Sequence, residues 1–216
     1  MSELQPLRIT ARLRTGVMSD NYLPLDAILF YQIYRRAYGP QDVTLPGSKV
    51  EPAGAQPAMP LEKATVAGWW MWCCSFAEWG PHSDGQGFWV KRFDQQYAGL
   101  VEFGKRRGKI DTSAGRYKSY NMPVQYRHAL WVRWYATGDL AAVRDLLADV
   151  THIGKKTAQG YGRVISWTVE PWPEQWWLYD GHGRLMRAIP DEHGVLYGIR
   201  PSYWLPRHQT LCRLPY

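Results

Sequence analysis

The residues best suited to chemistry in this chain lie in one short stretch, HIGKKTAQGYGRV, at residues 152–164. Gly154, Gly160 and Gly162 permit positive φ and a close approach of backbone to ligand. Lys155, Lys156 and Arg163 supply positive charge, while Thr157 and Gln159 carry donors for phosphate or sugar oxygens. Successive N–H groups in such a loop form a concavity that takes an anion. The order GxxxxGK[ST] is absent and a helix is expected before the loop, so nucleotide hydrolysis is not implied. Two readings follow from the residues alone. The stretch is an ordinary helix-to-strand connection with Gly154 as C-cap, or it grips a phosphate backbone.

A second basic stretch, GKRRGKIDTSAGRYKSY at 104–120, holds Lys105, Arg106, Arg107, Lys109, Arg116 and Lys118 against Asp111 alone. Glycines interrupt it and no helical face runs through it. Over the whole chain 26 Lys and Arg oppose 19 Asp and Glu, a net charge of +7, which suits an acidic partner. Twelve tryptophans and fourteen tyrosines favour unpaired nucleic acid as that partner, since bases stack on aromatic rings, with most of the rings expected in core or interface.

The remaining reactive side chains do not assemble into a site. His82, His182 and His193 lie in sequences that read as turns, His128 begins a strand, and His152 adjoins the glycine-rich loop, where it can reach a phosphate. No HxH, HExxH or CxxC spacing is present, so neither metal nor other cofactor is implied. Cys73 and Cys74 are adjacent and Cys212 is distant, which makes no disulfide framework and fits a reducing compartment. No signal-like leader and no apolar run of membrane-spanning length is seen, so a cytoplasmic protein without membrane contact is expected.

The elements that must position the loop follow from periodicity and punctuation. LRITARLR (7–14) alternates as a half-buried strand. A helix runs over 24–38, from Pro24 to Gly39, with Leu25, Ile28, Leu29 and Ile33 inward and Arg35 and Arg36 in the last turn. A Pro- and Gly-rich loop occupies 40–63, and 66–76 reads as a central strand, apolar on both faces. After a loop at 80–87 and a short strand at 88–93, residues 127–136 alternate again. Asp139 then caps a helix with the stripe Val143, Leu146, Leu147 and Val150. Residues 162–170 form the strand leaving the loop, and the tail predicts a hairpin of 176–179 with 185–189. The order is βαββαβ, an α+β ferredoxin-like (RRM-like) domain over 1–170 with insertions at 40–65 and 94–126. An aromatic, β-rich C-terminal extension, 171–216, packs on that domain, its rings completing the core and in part docking a partner.

In that position the pattern G-K-K-x-x-x-G-Y-G-R-V closely resembles the signature of the RAMP superfamily of CRISPR-associated RNA-binding proteins. PLRITARLRTGVMSDNYLPLDAILFYQ (6–32), GRYKSYNMPVQYR (115–127) and IRPSYW (199–204) resemble the type IV CRISPR subunit that stands in for the Cas-five class. The resemblance implies a non-catalytic subunit of a ribonucleoprotein effector complex that binds and caps the 5′ handle of the guide RNA (crRNA). It would contact the backbone filament subunit and the large subunit, with target DNA as a further candidate partner. Gly154, Lys155, Lys156, Gly160, Tyr161, Gly162 and Arg163 would line the RNA path, and 104–120 would form an inserted thumb. Lys118 and Tyr120 stand out there, since a lysine beside a stackable ring suits a kinked nucleotide.

Two alternatives belong beside this reading. Relatives in the superfamily process guide RNA as endoribonucleases, which requires a general base near the 2′-hydroxyl. Residues 1–81 contain no histidine and a long tail follows the loop, both against a nuclease; Tyr31 and Tyr34 on the first helix read as packing. The other alternative is a protein-interaction scaffold whose basic patches meet acidic partners.

Overall fold

The computed structural model describes residues 3–20, 22–39, 58–103 and 108–215. Its centre is a four-stranded antiparallel sheet of β1 (Leu4–Leu13), β4 (Glu78–Trp79), β7 (Trp131–Asp139) and β8 (Val164–Pro171), in the order β4-β7-β1-β8. The alternation read over 7–14 decides its two faces. Leu7, Ile9, Ala11 and Leu13 are buried with Val132, Trp134 and Val169, and Arg8, Thr10 and Arg12 face the other way. Helices α1 (Leu25–Tyr38) and α2 (Leu140–Ala148) bury Leu25, Leu29, Val143 and Leu147 against the apolar face. Each such side chain stabilises the fold by roughly 1.5–3 kcal/mol relative to exposure. The punctuation works as expected: Gly39 closes α1 with φ 78°. Asp139 accepts the N–H groups of Ala141 and Ala142 to start α2. Arg36 binds Asp145 and Asp149 and so ties α1 to α2.

Several expectations are corrected. Residues 66–76 do not form one central strand. Ala67 and Gly68 both adopt positive φ and turn the chain back between β2 (Lys63–Val66) and β3 (Trp69–Trp72). The continuation, 73–79, runs irregularly along the edge of the sheet beside β7, with Cys74 bridging Ala136. Its side chains are apolar on both sides because it lies between two cores: Cys74 belongs to the sheet's cluster, Cys73 and Phe76 to a second one with Met71, Trp177, Ile199 and Cys212. The single strand read at 127–136 is two. β6 (Tyr120–Ala129) leaves the main sheet and pairs over its whole length with β5 (His82–Lys91), and the chain pivots at Leu130, 78% exposed, into β7. Alternation simply continues across the pivot, so periodicity cannot locate it.

His82 and His193 lie in strands, not turns: GPHSDG opens β5, and His193 sits in β9 (Ile189–Gly198), which pairs with β10 (Gln209–Arg213). The tail hairpin expected at 176–189 is reduced to one bridge, Tyr179 with Leu185. Trp172 and Trp176 lie on Tyr135 at the far face of the sheet, so this part of the tail completes the packing there. The 40–63 loop lies outside the described residues up to 57. Met59 and Leu61 beyond it are core residues. Among the described residues no helix is long and apolar enough to cross a membrane.

Candidate nucleic-acid interface

The loop after α2 is built on a tight backbone stem. Ile153 N–H donates to Gly162 O at 2.9 Å, and His152 bridges Arg163. Two glycines make the closure feasible. At Gly162 (φ 69°) a Cβ would stand 1.8 Å from Ile153 O, and at Gly154 (φ 82°) 2.3 Å from Met18 O. Both distances lie far inside van der Waals contact, so no side chain fits. The second contact arises because the loop leans on the β1–α1 connection: Lys155 N–H donates to Met18 O at 2.6 Å and Gly162 N–H to Gly16 O at 2.8 Å. Thr15 joins the two from its side chain, donating to Gly160 O and accepting from Arg163 N–H.

This architecture changes what the loop can offer an anion. The N–H groups of Lys155, Gln159, Gly160, Gly162 and Arg163 are consumed by protein acceptors. The row of free amides that the glycines suggest is therefore mostly spent on holding the loop in shape. What remains toward solvent is side-chain chemistry, with Lys155, Thr157, Gln159 and Arg163 exposed. The Lys155 ammonium pairs with Asp20 at 2.6 Å, both groups well exposed. Lys156, in the left-handed region, turns its ammonium onto the Trp89 ring, 3.4 Å from the centroid.

Trp89 brings the loop to the inserted hairpin. Its ring also meets Tyr120, with centroids 4.7 Å apart, so Lys156, Trp89 and Tyr120 form a continuous contact. Tyr161 packs 5.6 Å from Tyr126 of β6. Room for these rings comes from glycines in β5, since a Cβ at Gly85 would clash with Tyr126 and one at Gly87 would lie 2.7 Å from the Tyr161 hydroxyl. Between loop, hairpin and β1–α1 connection opens a cleft of about 440 Å³, lined by Arg14, Gln86, Tyr126, His128, Gln159 and Gly160 among others. On the loop's other side a larger cleft of about 870 Å³ faces α1, with Tyr31, Arg35, His152, Lys155 and Thr157 in its wall. One loop thus separates two clefts.

The model of the CRISPR type IV associated protein Csf3 family matches residues 5–215 of the chain. The chain belongs to that family. It is a type IV CRISPR-associated subunit, and no curated protein matches it. The match takes in the loop, the hairpin and the tail alike.

Of the sequence-derived site residues, the structure groups Gly154 to Arg163 with Tyr120. Arg116 and Lys118 lie exposed near the hairpin tip, where Lys91 donates to Arg116 O at 2.8 Å, and Lys109 is exposed. Asp111 there accepts from the Ser113 hydroxyl and N–H, which hold its carboxyl below the usual range. Lys105, Arg106 and Arg107 lie outside the described residues. Residues that sequence reasoning missed are Arg14, Thr15, Gln86, Trp89 and Tyr126. The available signal was the alternation GQGFW in β5, where glycine marks room for a ring and not a turn. Among the described residues no three His, Cys, Asp or Glu side chains cluster as a metal site. The three cysteines are buried and unpaired, and burial pushes the Cys73 thiol up to about 12 and Cys212 to about 11.

Proposed function

We propose that this chain binds the 5′ handle of a guide RNA and caps one end of a type IV CRISPR ribonucleoprotein as a non-catalytic subunit. The observation that carries the reading is the contact of Lys156, Trp89 and Tyr120, which joins the basic glycine-rich loop to an aromatic hairpin beside an open cleft. Cations next to stackable rings suit a kinked single strand. The antiparallel order β8-β1-β7-β4 with both helices on one face supports taking the core as ferredoxin-like and RAMP-type. The hairpin of β5 and β6 then takes the part of the thumb, reaching toward a backbone subunit, and the aromatic tail is the surface for the large subunit.

Purification of the assembled complex, with sequencing of the bound RNA, tests this. A defined 5′ handle protected only when this subunit is present is the expected result. Random RNA, or none, overturns it. Incubation with repeat RNA in chelator tests the non-catalytic part: intact RNA is expected, and cleavage products would assign the chain to the processing enzymes.

A further inference from the structure

The face of the four-stranded sheet turned away from the helices is a second surface suited to a polyanion. Residues paired across antiparallel strands share a face. Ser166, Arg12 and Trp131 therefore form one row across β8, β1 and β7, and Thr168, Thr10, Arg133 and Glu78 the next. A third row, Glu170, Arg8 and Tyr135, is closed off by Trp172 and Trp176, which bury Tyr135. The first two rows stay open: Arg12, Ser166 and Thr168 are exposed.

Charge and shape on this face favour a nucleic-acid strand. Two carboxylates are present and each is taken, Glu170 by Arg8 at 2.7 Å and Glu78 by Arg133 at 3.7 Å. Arg12 and Arg14 have no carboxylate partner among the described residues. The Arg133 guanidinium lies 4.3 Å from the Trp131 ring centroid, and Arg8 lies 4.2 Å from that of Trp172. A guanidinium laid on an indole keeps its outer plane for a base and its edge for a phosphate. The face, roughly 15 Å across its four strands, is also continuous with the smaller cleft. Arg14, the residue that follows β1, lines that cleft, and its N–H donates to Arg163 O at 2.8 Å.

We propose that this open sheet face binds a second stretch of single-stranded nucleic acid, which leaves the cleft beside Gly160 and crosses Arg14, Arg12 and the Trp131–Arg133 stack. The inference does not depend on which strand the glycine-rich loop holds. An acidic protein surface would meet the same charges, but it has no use for flat cationic planes set in a row.

The test uses the full chain and fluorescence anisotropy with oligouridylate RNA and oligothymidylate DNA of about 5 and about 15 nucleotides, the range of single-strand site sizes. Arg12→Glu is expected to weaken the long strand about tenfold and to flatten its salt dependence by about one phosphate contact. Short-strand binding should hold within about twofold. Arg12→Lys should restore most of the affinity, and Arg12→Gln replaces the glutamate variant should that one melt early. A loss confined to RNA identifies a guide-type strand, and an equal loss on DNA an unpaired target strand; either supports the proposal. Unchanged long-strand binding, an equal loss at both lengths, or loss only of a protein partner from the complex overturns it. Lys155→Ala with Lys156→Ala should weaken both lengths, so failure of the loop reading and failure of this one give different patterns.

Discussion

Two ion pairs of nearly equal length hold different parts of this molecule, and their surroundings set them apart. Arg187 and Asp26 meet at 2.7 Å with side chains 1% and 0% exposed, while Lys155 and Asp20 meet at 2.6 Å with 62% and 76% exposed. The buried pair is embedded in a network. Arg187 also donates to Cys74 O and Ile199 O, each at 2.8 Å, and Tyr203 donates to Asp26 at 2.5 Å. It thereby fastens the tail to the start of α1 and to the irregular edge segment. Burial works against the Arg187 charge, but the Asp26 carboxylate beside it holds the guanidinium protonated. The exposed pair contributes little stability, in the range of about 0–1 kcal/mol, and leaves the ammonium within reach of a ligand. A cation–carboxylate contact serves as a fastening in one place and as a displaceable contact in the other.

The largest expected effect would break the buried side of that contrast. Arg187→Ala should cost about 3–5 kcal/mol, because it strands the Asp26 carboxylate in the core. Replacing both partners, Arg187→Met with Asp26→Leu, should recover much of the loss. Denaturant titration measures both, and equal costs for single and double variants would show that the pair is not coupled. On the exposed side, Lys155→Ala with Lys156→Ala should leave stability within about 1 kcal/mol yet lower guide occupancy. The salt slope of RNA binding should flatten by about 2. Unchanged RNA occupancy would remove the loop from the RNA path.

A smaller effect concerns the buried tail. Burial lowers the His208 pKa, with Arg200 adding to the shift, and its ring Nδ1 lies 3.1 Å from Ser202 O. The folded state therefore binds fewer protons than the unfolded chain as pH drops through the ordinary histidine range. Stability is complete above about 6.5 and declines below it. Melting temperature against pH should show that decline, and His208→Gln should flatten it. The smallest effect sharpens the exposed side: Asp20→Asn frees Lys155 and should tighten RNA binding by about two- to threefold, the scale of one surface pair. Weaker binding would mean that Asp20 orders the loop and does not compete with the ligand.

Local signals were readable where a single element decides them. The alternation of β1, the Pro24 and Gly39 boundaries of α1, the Asp139 cap and the cations of the loop all follow from neighbouring residues. Features decided by distant partners were hidden. Nothing near Leu130 announces that β6 pairs with β5 and β7 with β1, and nothing near Trp89 announces Lys156. Arg187 reads as an ordinary basic residue of the tail, and only the fold buries it beside Asp26. The glycines of β5 read as turn formers because their true reason, the rings of Tyr126 and Tyr161, lies on other segments.

The stem at Ile153 and Gly162, and the amides given to Met18, Gly16 and Thr15, also bear on the thermodynamics of capture. Ordering a free backbone costs roughly 1–2 kcal/mol per residue, and a loop that folded onto its ligand would lose that from its affinity. Here the ordering is completed when the chain folds. Association should therefore resemble rigid docking, with a small entropic penalty and a rate governed by charge.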